Sequence, residues 1–86
     1  MNITDIRIRK IYDNSKMKAI VSVTINDEFA IHDIKIIDNN RLFIAMPNRK
    51  DENGKYRDIC HPITFESRCK LEEAIIKKYK EFLNEI

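Results

Sequence analysis

Arg49, Lys50, Lys55 and Arg57 crowd the stretch around Gly54, the only glycine in the chain, with Asp51 and Glu52 among them. Arginine offers a phosphate a planar, bidentate fork, and lysine offers a mobile point charge on a flexible stem. A basic turn of this kind is either a hairpin tip that meets phosphates or an ordinary solvated turn kept soluble by its charges. Tyr56, set between Lys55 and Arg57, adds a ring on which an unpaired base could stack. Arg68 and Lys70 follow shortly after and complete the group of candidate phosphate contacts. Arg7 and Arg9 share one strand face, with Lys16 and Lys18 across the next turn. They form either a stripe that tracks a phosphate backbone or charges that blunt an edge strand against aggregation. Lys77, Lys78 and Lys80 read as a solvated helix face, supported by the i,i+4 pairs Glu66 with Lys70 and Glu73 with Lys77.

Other residue types point to less. Cys60, His61 and Cys69 are zinc-ligating types, but they form no CxxC pair and do not complete a tetrahedral set, so no metal is expected. His61, before Pro62, reads as a structural hydrogen-bonding residue, and His32-Asp33 as a satisfied histidine beside a strand irregularity. The His, Asp and Cys residues lack a nucleophile elbow, a glycine-rich phosphate loop or an oxyanion motif around them, so neither catalysis nor a cofactor is expected. Among the aromatic rings, Phe29, Phe43 and Phe82 are assigned to the core, and no aromatic pair of the RRM type is present.

These side chains need a scaffold, and the hydrophobic periodicity supplies one. Ile6 and Ile8 alternate with Arg7 and Arg9, the period of a half-buried strand. From Met17 to Ile25 the odd positions Met17, Ala19, Val21, Val23 and Ile25 are apolar, while Lys18, Ser22 and Thr24 share the other face with Ile20. Asp13-Asn14-Ser15-Lys16 and Asn26-Asp27-Glu28 are turns, because Asn and Asp tolerate left-handed backbone. The third strand, Phe29 to Ile37, changes phase around His32-Asp33, which predicts a bulge or bend there. After the turn Asp38-Asn39-Asn40, the run Leu42 to Met46 is nearly all apolar and predicts a strand covered on both faces, ended by Pro47. Thr64 is the N-cap of a closing helix, with Glu66 near its positive end and an apolar stripe of Leu71, Ile75, Tyr79, Phe82, Leu83 and Ile86. The expectation is an α+β fold: an antiparallel sheet of four to five strands, then an amphipathic C-terminal helix.

Eighty-six residues with 43% hydrophobic and 35% charged content describe one globular domain, spanning residues 1–86, near the size where a single core is marginal. Association into a dimer would bury more apolar surface, and the two-faced apolarity of Leu42 to Met46 points the same way. The net charge of +2 is too small to argue a partner, so clustering decides. Two unpatterned cysteines read as thiols in a reducing compartment, and no apolar run or N-terminal leader pattern points to a membrane, which together predict a cytoplasmic protein.

The stretch from Leu42 to Ile63, LFIAMPNRKDENGKYRDICHPI, resembles the signature of the SpoVG family: LF(V/I)AMP, a small polar residue, two basic residues, a charged turn with Gly, then DI, any residue, and HPI. Asp5-Ile6-Arg7, FAIHDIKII from Phe29 to Ile37, and the closing helix also look like that family. Asn48 stands where Ser is frequent and Cys60 where a small residue such as Ala is frequent, departures that leave the fold untouched. The resemblance implies a small, dimeric bacterial regulator, binding DNA and RNA and linked to sporulation and septation. It favours the phosphate-binding reading of the basic turn. The alternative is a non-catalytic protein-interaction module whose basic residues only solubilise it.

Overall fold

A computed structural model describes residues 1–84. Three long strands, β1 (Ile3–Ile11), β2 (Met17–Ile25) and β3 (Phe29–Asp38), and a short β4 (Leu42–Ala45) form an antiparallel meander in the order β1-β2-β3-β4. A separate hairpin, β5 (Asn48–Lys50) and β6 (Tyr56–Asp58), follows, and α1 (Phe65–Asn84) closes the described chain. The expected α+β architecture is therefore present, with the basic turn folded as its own two-stranded sheet.

Local chemistry explains the connections. Asn26 and Asp27 both take positive φ, and the Glu28 amide donates to the Ile25 carbonyl at 3.0 Å, the type I′ geometry that matches the twist of paired strands. Asn14 and Asn40 take the same left-handed backbone in the other two turns. The predicted phase change appears in β3: Val21 faces Ile34 and Val23 faces Ile31, so Ser22 alone opposes both His32 and Asp33. Asp33, at φ 63°, absorbs the extra residue. A second irregularity in β1 sets Ile8 against Val21 and Lys10 against Ile20, leaving Arg9 as the extra residue.

One face of the sheet carries the core. Ala19, Val21 and Val23 of β2, Ile34 and Ile36 of β3, and Ile44 with Met46 meet Leu71, Ile75 and Tyr79 of α1, all buried. Ile6, Ile8 and Ile11 of β1 pack beside them. The helix begins as expected: Thr64 Oγ1 accepts from the Ser67 amide at 3.1 Å, which satisfies an otherwise orphaned donor.

Several expectations need correction. Phe29 is 66% exposed because it opens β3 beyond the end of β4, which pairs only with Lys35 to Asp38. Within this chain β4 is covered on one face only: Ile44 is buried, while Phe43 and Ala45 are half-buried on the side away from the helix. Phe82 is half-buried and Leu83 is 38% exposed, so the buried part of the helical stripe ends at Tyr79, and Ile86 lies outside the described residues. The i,i+4 ion pair that forms on α1 is Arg68–Glu72 at 3.6 Å; among the described residues neither Glu66–Lys70 nor Glu73–Lys77 is within 4.0 Å.

Candidate nucleic-acid interface

The β5–β6 hairpin is built around Asp51. Its Oδ1 accepts from the Asn53 and Lys55 amides, both at 2.9 Å, and its Oδ2 accepts from Arg57 Nε at 2.7 Å. The Asp51 amide donates to the Lys55 carbonyl at 2.8 Å, and the Gly54 amide donates to the Asp51 carbonyl at 3.0 Å. Gly54 holds φ +82°, a conformation that a side chain disfavours, so the glycine is required by the turn. The Arg57 guanidinium beside Asp51, with the Lys55 and Asn53 amides, holds this carboxyl below the usual carboxylate range.

Register then decides how the cations face one another. Arg49 stands directly opposite Arg57, and Lys50 opposite Tyr56. Like charges in a directly opposed pair repel. Asp51 neutralises Arg57, and among the described residues Arg49, Lys50 and Lys55 have no carboxylate within 4.0 Å. Tyr56 is 71% exposed. The hairpin thus gathers Arg49, Lys50, Lys55, Tyr56 and Arg57, and Arg49, Lys50 and Arg57 border an open concavity of about 850 Å³ that Asp51, Glu52 and Asp58 also line.

Arg68 and Lys70 are placed differently. Arg68 Nη2 donates to the Ile44 carbonyl at 2.7 Å, and Lys70 Nζ donates to the Met1 carbonyl at 2.6 Å, so both cations tie the start of α1 to other parts of the chain. Arg7 pairs with Asp5 at 2.9 Å, and this guanidinium pulls the Asp5 carboxyl below its ordinary value. Cys60 and Cys69 are free, half-buried thiols, and His61 Nδ1–H donates to the Pro62 carbonyl at 3.0 Å. No helix among the described residues is long and apolar enough to cross a membrane.

Two features escaped the sequence reading. Asp51 reads there as one acid in a charged turn, although an Asp accepting from amides two and four residues ahead is a recognisable turn pattern. The second is a chain of side chains on the sheet: Arg9 Nε donates to Ser22 Oγ at 3.1 Å, and Ser22 Oγ lies 2.9 Å from His32 Nδ1. Only the bulge at His32-Asp33 signalled it.

Comparison with known proteins places the sequence among relatives along nearly its whole length. The family model described as SpoVG matches residues 1–81. A protein of Acetivibrio thermocellus is 58% identical over 81 residues, which cover 93% of this chain and 86% of that protein. One from Clostridium novyi is 56% identical over 86 residues, 99% of this chain and 86% of its own length. One from Lachnospira eligens is 54% identical over 82 residues, 94% of this chain and 93% of its own. All three are named provisionally as septation protein SpoVG.

Proposed function

Starting from the chain's membership of the SpoVG family, we propose that it is a cytoplasmic, non-catalytic regulator of septation and sporulation that binds DNA and RNA through basic side chains. The observation that supports this reading is the opposition of Arg49 and Arg57 across the hairpin, where Asp51 pairs with Arg57 and Arg49 has no carboxylate partner among the described residues. An anionic ligand would relieve that repulsion, and a phosphate fits both forks. Lys50 and Lys55 add charge at the same tip, and exposed Tyr56 offers a face to a base. Arg68 and Lys70, at the start of α1, belong to the proposed set through the charge left beyond their hydrogen bonds to the Ile44 and Met1 carbonyls.

A homodimer is part of the same reading. The core is small, and the edge of β3 from Phe29 to Ile34 has no strand beside it among the described residues. Exposed Phe29 and Ile59 border that edge, together with buried Pro47 and half-buried Cys60. Such a bare edge is a template for strand addition. Capture of a different protein's strand there is the second reading, and the same exposed apolar side chains favour it.

Fluorescence anisotropy with duplex DNA and with single-stranded DNA and RNA, at two salt concentrations, tests the proposal. Arg49→Ala with Lys50→Ala should weaken binding to all sequences and flatten the dependence of log affinity on log salt by about 0.9 per lost duplex contact. Unchanged affinity and slope in a folded double variant would leave the hairpin as a solvated turn.

A further inference from the structure

The sheet face opposite α1 is bare among the described residues, and it is cationic. Register sets Lys10 and Lys35 on either side of Ile20, and sets Arg7 and the His32-Asp33 bulge on either side of Ser22. Phe43 lies on the same face of β4, with the Arg41 guanidinium 5.9 Å from its ring centre. Lys18 follows on β2 as the extra residue at the register shift between Met17 and Ala19. The acids here are Asp5, which holds Arg7, and Asp33. Among the described residues, Arg9, Lys10, Lys18 and Lys35 have no carboxylate within 4.0 Å.

Two bulges converge on one hydroxyl. The irregularity in β1 supplies Arg9 and the one in β3 supplies His32, and both side chains reach Ser22 Oγ. Ser22 is 7% exposed, so its hydroxyl hydrogen needs an acceptor within the protein. Arg9 Nε–H donates to Oγ, and the acceptor within reach of the hydroxyl is His32 Nδ1. With Nδ1 accepting, the imidazole carries its hydrogen on Nε2. The Arg9 Nη groups and His32 Nε2–H make no hydrogen bond to another described residue, and both side chains are exposed. The buried hydroxyl thus positions two side chains whose remaining donors face outward, open to a ligand.

We propose that Arg9 and His32, positioned by Ser22, form a phosphodiester-binding cradle, and that the open sheet face is a track for a nucleic-acid single strand in addition to the hairpin. The inference rests on the nucleic-acid reading above and adds a second surface to it. Charge selects the occupant: Arg9, Lys10 and Lys35, without carboxylate partners among the described residues, lie on one sheet face. Half-buried Ile20 and Phe43 lie among them as apolar and aromatic ground for bases.

Labelled single-stranded DNA and RNA of one sequence, titrated at two salt concentrations, test it with the full chain. Arg9→Gln should flatten the salt slope by about 0.7, the value for one lost single-strand phosphate contact. Its effect should add to that of Arg49→Ala with Lys50→Ala, because the variants remove different side chains that share no hydrogen-bond partner. Ser22→Ala removes no charge, so it should weaken binding while leaving the salt slope unchanged. As a readout independent of variant folding, the His32 ring resonances should shift when oligonucleotide is added to the unaltered chain. If the hairpin variant loses affinity while Arg9→Gln keeps the original slope and the His32 signals stay still, the cradle is overturned and the hairpin reading survives. If the unaltered chain binds neither strand, both readings fall together.

Discussion

Arg68 on the first turn of α1 donates to the Ile44 carbonyl of β4 at 2.7 Å, a charged hydrogen bond between residues 24 positions apart. It fastens the helix to the edge strand of the sheet. The neighbouring Glu72 leans on it, with Oε2 at 3.6 Å and Oε1 buried without a partner among the described residues.

Arg68→Ala should therefore destabilise the fold by about 1.5–3 kcal/mol, the range for a hydrogen bond to a charged group. Glu72 would lose its nearest cation in the same step. Urea unfolding followed by circular dichroism checks this, and a loss below a few tenths would mean that water replaces the guanidinium without cost.

Asp51 should make the hairpin sensitive to acid. Its carboxyl is depressed by Arg57 and by the turn amides, so protonation favours the opened hairpin. The contribution is complete above the ordinary carboxyl value of about 3.8 and is lost as pH falls through the lower folded-state value. Asp51→Asn should reproduce that loosening at neutral pH. Amide exchange at Asn53 and Lys55 is the readout, with the β2 amides unaffected.

Ile75, fully buried between helix and sheet, tests the core directly. Ile75→Ala should cost about 2–5 kcal/mol, the lost transfer free energy plus the cavity left behind. A shift of the urea midpoint with an unchanged slope would show that the fold itself is retained.

Phe29→Glu together with Ile59→Glu should move the chain towards a monomer of 10.3 kDa in sedimentation velocity at micromolar concentration. Both side chains are exposed in the single chain, so the folded monomer should tolerate the change. An assembly of unaltered size would put the interface elsewhere.

Much of the scaffold was legible because its causes are local. Alternation from Met17 to Ile25 assigned each side chain to a face, and the phase change at His32-Asp33 located the bulge. Left-handed Asn14, Asn26, Asp27 and Asn40 fell in turns whose composition announced them. Thr64 capped the helix through its own amide neighbours. In each case the interacting groups lie within a few residues or share a fixed strand period.

Distance along the chain hid the rest. Arg68 and Lys70 look like free cations in the sequence, yet their hydrogen bonds reach back 24 and 69 positions, to Ile44 and Met1. Phe29 looks like a core residue, yet it stands exposed at the start of β3, where β4 does not reach. Arg9, Ser22 and His32 belong to three strands, and their meeting depends on two bulges whose register is set by pairing. Thus the sequence determined the elements, their faces and the basic hairpin, through periodicity and turn chemistry. Tertiary packing decided which cations are committed to the fold and which remain open, because that depends on which carbonyl, carboxylate or hydroxyl the folded chain brings within hydrogen-bond reach.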